Sequence, residues 1–167
     1  KKKQREGENL SMNSIFTRRS IRRYTDAPVP EEMLEKILRA GMAAPSAGNE
    51  QPWHFVVLTD KNILREIPKF HPYSHMLNHA NLAIVVCGDL SAQKYEGYWV
   101  QDCSAATQNM LLMAEELGLG SVWLGVYPTE DRVKGMKKLL GLPENIVPFS
   151  ILPIGYPDEK KDPVDRF

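Results

Sequence analysis

Six consecutive apolar residues run from Leu82 to Cys87, between Asn81 and Gly88, and they constrain the fold more than any other feature. A run of this length that contains isoleucine and valine predicts a β-strand. Because no polar residue alternates with the apolar ones, we expect both faces of this strand to be covered. The chain must therefore build a sheet with protein layers on both sides.

Three further apolar segments predict strands, and helical patterns separate them. We expect these strands at His54–Thr59, Ser121–Val126 and Phe149–Ile154, which are rich in β-branched and aromatic residues. The longest helix is predicted from Tyr98 to Leu117, where apolar residues recur at helical spacing along one face. Strands and helices therefore intermix along the whole chain.

Capping and turn residues give the bounds of the other predicted helices. Pro30 is suited to open a helix that stops at Gly41. Thr129 is suited to cap a helix that ends before Gly141. A short first helical segment is expected around Asn13–Arg19, leading into a cluster of arginines.

These elements predict one α+β domain over residues 13–167, with a central sheet flanked by helices. No glycine-rich turn follows the first strand, so the dinucleotide-binding fingerprint of doubly wound folds is absent. Residues 1–12 are polar and basic, and we expect a flexible N-terminal arm there. Met12 is a candidate for the natural first residue, with the preceding residues added for expression.

Positive and negative charges balance, with 21 Lys and Arg against 21 Asp and Glu, so no overall field favours nucleic acid or an anionic membrane. No apolar stretch approaches the roughly 20 residues that span a bilayer, and no secretory signal is visible. Cys87 and Cys103 are too few for a disulfide-stapled secreted domain and are expected to be buried thiols. We therefore expect a cytoplasmic protein without nucleic-acid or membrane partners.

The histidines and cysteines predict no metal site. His71, His75 and His79 recur every four residues, which could align them on one face of a helix. However, Pro72 interrupts that stretch, and no paired cysteine motif accompanies it.

Arg18, Arg19, Arg22 and Arg23 bring four guanidinium groups into six residues, beside the hydroxyl of Ser20. Guanidinium groups offer paired donors and never lose their charge, which suits them to a phosphate. On a helix, Arg18 and Arg22 would share one face. A solvated basic turn or a structural ion-pair network would use the same residues, and the pattern alone does not choose between these interpretations.

The segment from Ala43 to Trp53 is dense in small and turn-forming residues. Small residues let a ligand approach the backbone, and Ser46, Asn49 and Gln51 can hydrogen-bond to a polar ring. The alternative is an ordered structural turn that Trp53 anchors in the core. Both interpretations remain open from the residues alone.

These two segments and two later ones closely resemble the landmarks of the nitroreductase family of FMN proteins. The matching residues are Arg18-Arg19-Ser20-Ile21-Arg22, Pro45-Ser46, Asn49-Glu50-Gln51-Pro52-Trp53, Gly118 to Gly125 and Ile154-Gly155-Tyr156-Pro157. The resemblance covers nearly everything from Asn13 to Phe167. It implies a nitroreductase-like α+β fold with a mixed or antiparallel sheet, and an intertwined homodimer with two identical FMN sites at its interface.

The resemblance also assigns a set of residues to the phosphate, ribityl chain and pyrimidine edge of the flavin. These are Arg18, Arg19, Ser20 and Arg22. Arg166 matches a further phosphate-binding arginine near the end of the domain. Arg22 is the preferred candidate for the cation that stabilises the reduced flavin.

A second set of residues would complete each site. Pro45, Ser46 and Asn49 would approach the flavin from the partner subunit. The backbone of Leu124 and Gly125 matches the strand-end loop that faces the flavin N5 edge. No side chain is nominated as acid, base or nucleophile.

The chain departs from the family pattern in two places. Val164 stands where relatives often have a second basic residue shortly before the last arginine, and Lys160 or Lys161 could substitute for it. Many relatives also continue beyond the position of Phe167 into a short tail that embraces the partner.

The activity that the resemblance implies is a ping-pong reaction. NADH or NADPH reduces FMN and leaves, and a small oxidised acceptor such as a nitroaromatic or a quinone then takes the electrons in the same pocket. Tyr95, Tyr98 and Trp99 could shape that pocket, or pack in a core or interface. The alternatives are a flavin-cleaving or dehalogenating enzyme on the same scaffold, a flavin-binding protein without turnover, and a basic interaction module.

Overall fold

The computed structural model describes residues 13–167, so the arm predicted over residues 1–12 lies outside the described part of the chain. The central sheet contains five strands, which are β1 (Trp53–Leu58), β2 (Leu82–Asp89), β3 (Gly120–Ser121), β4 (Leu124–Gly125) and β5 (Ile146–Gly155). β2 pairs with β1 on one side and with β5 on the other, and β3 and β4 both pair with β5. All of these pairings are antiparallel, which confirms the predicted antiparallel sheet.

Both faces of β2 are covered, as its unbroken apolar sequence predicts. Ile84 and Val86 point into a core that includes the helices α2 (Glu31–Met42) and α4 (Trp99–Glu116). Val85 and Cys87 point to the opposite face, into a second core. Because successive side chains of a strand alternate between faces, a strand between two cores is apolar at every position.

The second core is closed by the helices α3 (Lys61–Glu66) and α5 (Glu130–Leu140), which supply the fully buried Leu64 and Met136. A short helix, α1 (Ser14–Thr17), precedes the arginine cluster and contacts α4. Helices therefore lie on both sides of the sheet, and the predicted α+β layering is confirmed. Within residues 13–167, no helix is long and apolar enough to cross a membrane.

β5 is longer than predicted, and its pairing with β2 contains a β-bulge. The pairing shifts by one residue between Val86 and Cys87, which face Ser150 and Pro148. Phe149 is the extra residue of the bulge, and the pairing continues beyond it to Ile146. The strand starts at Ile146, whereas the sequence pattern predicts a start at Phe149.

Two other predicted boundaries are wrong. The expected strand Ser121–Val126 is instead the two short strands β3 and β4, separated by two residues. Gly41 does not stop α2, which continues to Met42. Gly41 is buried, and a Cβ at this position would lie 2.7 Å from Met110 Sδ and 2.9 Å from Phe55 Cζ. The glycine therefore permits close packing of α2 rather than ending it.

We expect Gly41→Val to lower the free energy of unfolding by about 1–3 kcal/mol, because the added methyl groups overpack the contact with Met110 and Phe55. Urea unfolding monitored by circular dichroism measures this loss. Lys36→Val, at an exposed position of the same helix, introduces valine without a packing contact and should change stability by less than about 0.5 kcal/mol. Equal stabilities of the two variants would contradict this packing role.

Candidate functional site

The arginine cluster is extended rather than helical, so the helical condition under which Arg18 and Arg22 would share one face is not met. α1 ends at Thr17, and the following residues run along the edge of the sheet. Ser20 forms an isolated bridge with Ser121, and the Ile21 N–H donates to the Ser121 carbonyl at 2.9 Å. Arg18 and Arg19 line one cavity and Arg22 lines another, so the guanidinium groups are spread over two cavities.

One cavity, of about 610 Å³, combines three of the predicted phosphate ligands and is called here the arginine cavity. Arg18, Arg19 and Arg166 line it, together with one acidic side chain, Asp165. The guanidinium of Arg19 also donates to the carbonyl of Asp162. This donor set, with more positive than negative charge, suits a phosphate.

Ser20 is not among the residues that line this cavity, and its backbone is held in place from outside it. The Lys161 Nζ donates to the Ser20 carbonyl at 2.6 Å and pairs with the Glu159 carboxylate at 3.0 Å. The Arg22 N–H donates to the same carboxylate at 3.1 Å. Burial opposes the ionisation of Glu159, but Lys161 and the Arg22 N–H lower its pKa overall. Lys161 and Glu159 thus anchor the arginine segment.

A second cavity, of about 340 Å³, is called here the Gly125 cavity. Arg22, Leu124 and Gly125 line it, so the arginine segment and the strand-end loop meet as the resemblance implies. Its other lining residues are His71, Pro72, Tyr73, His75, Trp123 and Arg132. Among residues 13–167, no carboxylate lines this cavity.

Two side chains hold the carbonyl of Gly125. His71 Nε2 lies 2.7 Å from this oxygen, and Arg132 Nη1 donates to it at 3.0 Å. His71 Nδ1 accepts from the Tyr73 N–H at 3.3 Å, which leaves Nε2 as the protonated nitrogen of a neutral ring. Burial, and to a lesser extent the charge of Arg132, lowers the pKa of His71.

Sequence reasoning does not find His71 or Arg132 as site residues. In the sequence, His71 stands out only through its spacing from two other histidines, which suggests a metal site. Arg132 resembles an ordinary surface residue in the first turns of a helix. Across residues 13–167, no group of three or more potential metal-ligating side chains occurs.

Pro45, Ser46 and Asn49 lie in a tightly turned loop that lines neither of the two cavities. Gly48, Asn49 and Gln51 all have positive φ angles, of 55°, 53° and 47°. The Gln51 N–H donates to Ser46 Oγ at 3.0 Å, and the Gln51 amide donates to Asn49 Oδ1 at 2.9 Å. Left-handed non-glycine residues cost free energy and concentrate at functional sites.

A buried pair of carboxyl groups anchors this loop to α4. Asp102 Oδ1 accepts from the Ala47 N–H at 2.9 Å, and Glu50 Oε2 accepts from the N–H groups of Lys94 and Tyr95. The remaining oxygens, Asp102 Oδ2 and Glu50 Oε1, are buried and have no other partner within the described residues. The two carboxyl groups interact, which disfavours the ionisation of both at once.

Of the two carboxyl groups, Asp102 holds a proton more readily. Burial and the adjacent charge of Glu50 raise the pKa of Asp102. Burial opposes the ionisation of Glu50, but the two backbone N–H groups lower its pKa overall. Through the backbone groups that they accept from, the two side chains join the loop, the start of α4 and residues 94–95.

The aromatic residues that could shape a pocket have different surroundings. Trp99 is buried against Gly88 and stacks edge-to-face on Tyr127, with ring centroids 4.7 Å apart, so it packs in the core. Tyr95 and Tyr98 remain exposed, and Tyr95 covers Gly48 in the loop. Cys87 and Cys103 are buried and free, as predicted.

We expect Asp102→Asn to gain stability relative to the wild type as the pH rises from about 4 to about 7. The raised pKa means that the folded wild type holds a proton that the unfolded chain releases, so this contribution to stability is lost with rising pH. Asparagine does not titrate, yet it keeps an oxygen for Ala47 and an N–H for Glu50. Urea unfolding at several pH values measures the difference.

Asp26→Asn, which removes an exposed carboxylate, controls for the loss of one negative charge. Parallel stability profiles of Asp102→Asn and the wild type over this pH range would refute the raised pKa of Asp102.

Comparison with known proteins identifies the family of this chain. The family model described as "Nitroreductase family" matches residues 15–75 and 70–156. A provisionally named NADH dehydrogenase/NAD(P)H nitroreductase of Methanothermobacter thermautotrophicus is 53% identical over 156 residues, which cover 93% of this chain and 82% of the relative.

Solved structures agree with this match. A crystal structure of a provisionally named NADH dehydrogenase/NAD(P)H nitroreductase from Parabacteroides distasonis superimposes with a TM-score of 0.91 at 44% identity, covering 96% of this chain and 94% of that one. A provisionally named nitroreductase from Desulfovibrio desulfuricans, crystallised in complex with FMN, has a TM-score of 0.83 at 34% identity, covering 96% and 93%. The chain therefore belongs to the nitroreductase family.

Proposed function

We propose that this chain is an FMN-dependent oxidoreductase that uses NADH or NADPH to reduce small oxidised acceptors, such as nitroaromatics and quinones, in a ping-pong sequence. The observation that carries the proposal is the arrangement of the arginine segment. One end of it lines the arginine cavity through Arg18 and Arg19, and the other end lines the Gly125 cavity through Arg22. A phosphorylated flavin has an anionic end and a polar ring end, which need two such regions.

The residues present fit FMN by their chemistry. Arg18, Arg19 and Arg166 supply the guanidinium donors that a phosphate dianion requires, and one acidic side chain lies among them. Arg22 and the backbone of Leu124 and Gly125 would hold the ring. The chemistry supplied by bound FMN is the acceptance of a hydride and the return of its electrons.

The chain's own contribution to the reaction is electrostatic and positional. Arg22 would supply a fixed positive charge that favours the added negative charge of reduction. The carbonyl of Gly125 is held by His71 and Arg132, so the peptide between Gly125 and Val126 has a defined orientation. His71 is neutral and both its ring nitrogens are engaged, which leaves no reason to make it a proton donor.

We also propose a homodimer in which Pro45, Ser46 and Asn49 of a second copy complete each site. These residues line neither cavity of their own chain, which is what a site shared between two copies requires. Apolar side chains near the arginine cavity are available to a partner, since Ile15 is 63% and Phe16 49% exposed. Cyclic dimers are the commonest closed assembly of soluble proteins.

The named relatives support the same activity. The Desulfovibrio desulfuricans neighbour was crystallised with FMN, and the Methanothermobacter thermautotrophicus relative is named for NAD(P)H-dependent reduction.

We expect Arg18→Gln to weaken FMN binding by about tenfold or more while changing the affinity for riboflavin by less than about twofold, because riboflavin lacks the phosphate. Fluorescence titration of both flavins measures the two dissociation constants. Arg65→Gln removes an exposed arginine on α3 and should change neither affinity. Equal losses for FMN and riboflavin would argue against a phosphate role for Arg18.

We expect the FMN-loaded protein to lose its visible flavin absorbance on anaerobic addition of NADH or NADPH and to regain it when menadione is added. Steady-state oxidation of the nicotinamide should depend on the acceptor, and the products should show intact flavin. A protein that binds FMN but never bleaches is a carrier or sensor, and a monomer that binds no FMN in excess would refute the proposal entirely.

A further inference from the structure

Arg132 is an uncompensated cation beside the Gly125 cavity. It lies in α5, and its Nη1 is engaged with the Gly125 carbonyl, while its Nε is buried without a partner in the part of the chain that the structure describes. No carboxylate within residues 13–167 forms an ion pair with it. A half-buried guanidinium without an acidic partner has a charge and N–H donors that an anion would satisfy.

The other groups that line the Gly125 cavity do not neutralise this charge. Arg22 adds a second guanidinium, and His71 is neutral with both nitrogens engaged. Tyr73 and His75 are the remaining titratable groups that the described part of the chain places around the cavity, and none of these groups is acidic. An anion that enters the cavity therefore meets only positive or neutral partners.

The cavity also offers flat apolar surfaces. The Tyr73 ring is 68% exposed, and Arg132 Cζ lies 5.3 Å from its centroid. Trp123 lines the same cavity and is also partly exposed. Exposed aromatic rings beside a guanidinium match a flat molecule that carries one anionic group.

We infer that Arg132 is a specificity-determining residue that binds the carboxylate of an aromatic acceptor, so that this enzyme prefers anionic aromatic acceptors to neutral ones. This inference rests on the proposed oxidoreductase function. Arg22 belongs to the segment proposed to hold the flavin, whereas Arg132 comes from α5, a different element, and is available to the second substrate.

The reaction used to test the inference is the reduction of 4-nitrobenzoate. NADH and one proton reduce the nitro group to a nitroso group; NADH becomes NAD⁺, and the departing oxygen leaves as water. The carboxylate does not react, so it reports on binding alone. 4-Nitrobenzyl alcohol is the neutral comparison, with the same ring and nitro group.

We expect the wild type to have a kcat/KM for 4-nitrobenzoate about tenfold or more above that for 4-nitrobenzyl alcohol, the effect of one charge-assisted hydrogen bond. Arg132→Gln should bring the ratio close to one, and Arg132→Lys should retain part of the preference. The ratio is the decisive quantity, because any disturbance of the Gly125 carbonyl affects both acceptors equally. Lys138→Gln, at an exposed position of α5, controls for the loss of one positive charge.

Equal losses for both acceptors in Arg132→Gln would overturn the inference, because Arg132 would then act only through Gly125. A loss confined to the KM for NADH, or to the affinity for FMN, would also overturn it, because the anion would be a phosphate of the coenzyme or the flavin.

A binding measurement separates this inference from the proposed function. Calorimetric titration with benzoate and with benzyl alcohol needs no turnover. Benzoate binding that Arg132→Gln abolishes and Lys138→Gln retains would support the inference even if the wild type reduced no acceptor. Equal binding of the two compounds to the wild type would overturn it.

Discussion

The pairing of β5 along both its edges is the constraint on which the site depends. A buried strand must satisfy its backbone groups on both sides, and β5 does so with β2 on one edge and with β3 and β4 on the other. Ser121 in β3 forms a β-bridge with Ser20, and Gly125 in β4 lines the Gly125 cavity. The same strand therefore sets the position of the arginine segment and of the strand-end loop.

Uncompensated positive charge is concentrated in this region although the chain as a whole is neutral. The residues that anchor the arginine segment are not the ones proposed to bind ligands. Lys161 and Glu159 neutralise each other while they hold the backbone of this segment. The guanidinium groups of Arg18 and Arg22 remain available to ligands, because no carboxylate within residues 13–167 pairs with them. Local arrangement, rather than net charge, is what makes the site attractive to anions.

The local sequence pattern was sufficient to predict the long helices and strands, and it was insufficient to predict the short strands. The periodicity of α4 and the unbroken apolar sequence of β2 predict those elements to within a few residues. β3 and β4 are two residues each and exist only because β5 pairs with them, so no local propensity marks their bounds. Gly41 shows the same limit, since a glycine at a packing contact and a glycine at a helix end look alike in sequence.

The sequence by itself determined the two-sided sheet, the flanking helices and the residue types that suit a phosphorylated flavin, because these follow from periodicity and side-chain chemistry. Only the tertiary structure decided that the arginine segment is extended, that Asp102 and Glu50 form a buried pair of carboxyl groups, and that His71 and Arg132 meet at one carbonyl. Each of these contacts joins residues from different elements. Their free energy depends on distance and burial in space, which spacing along the chain does not encode.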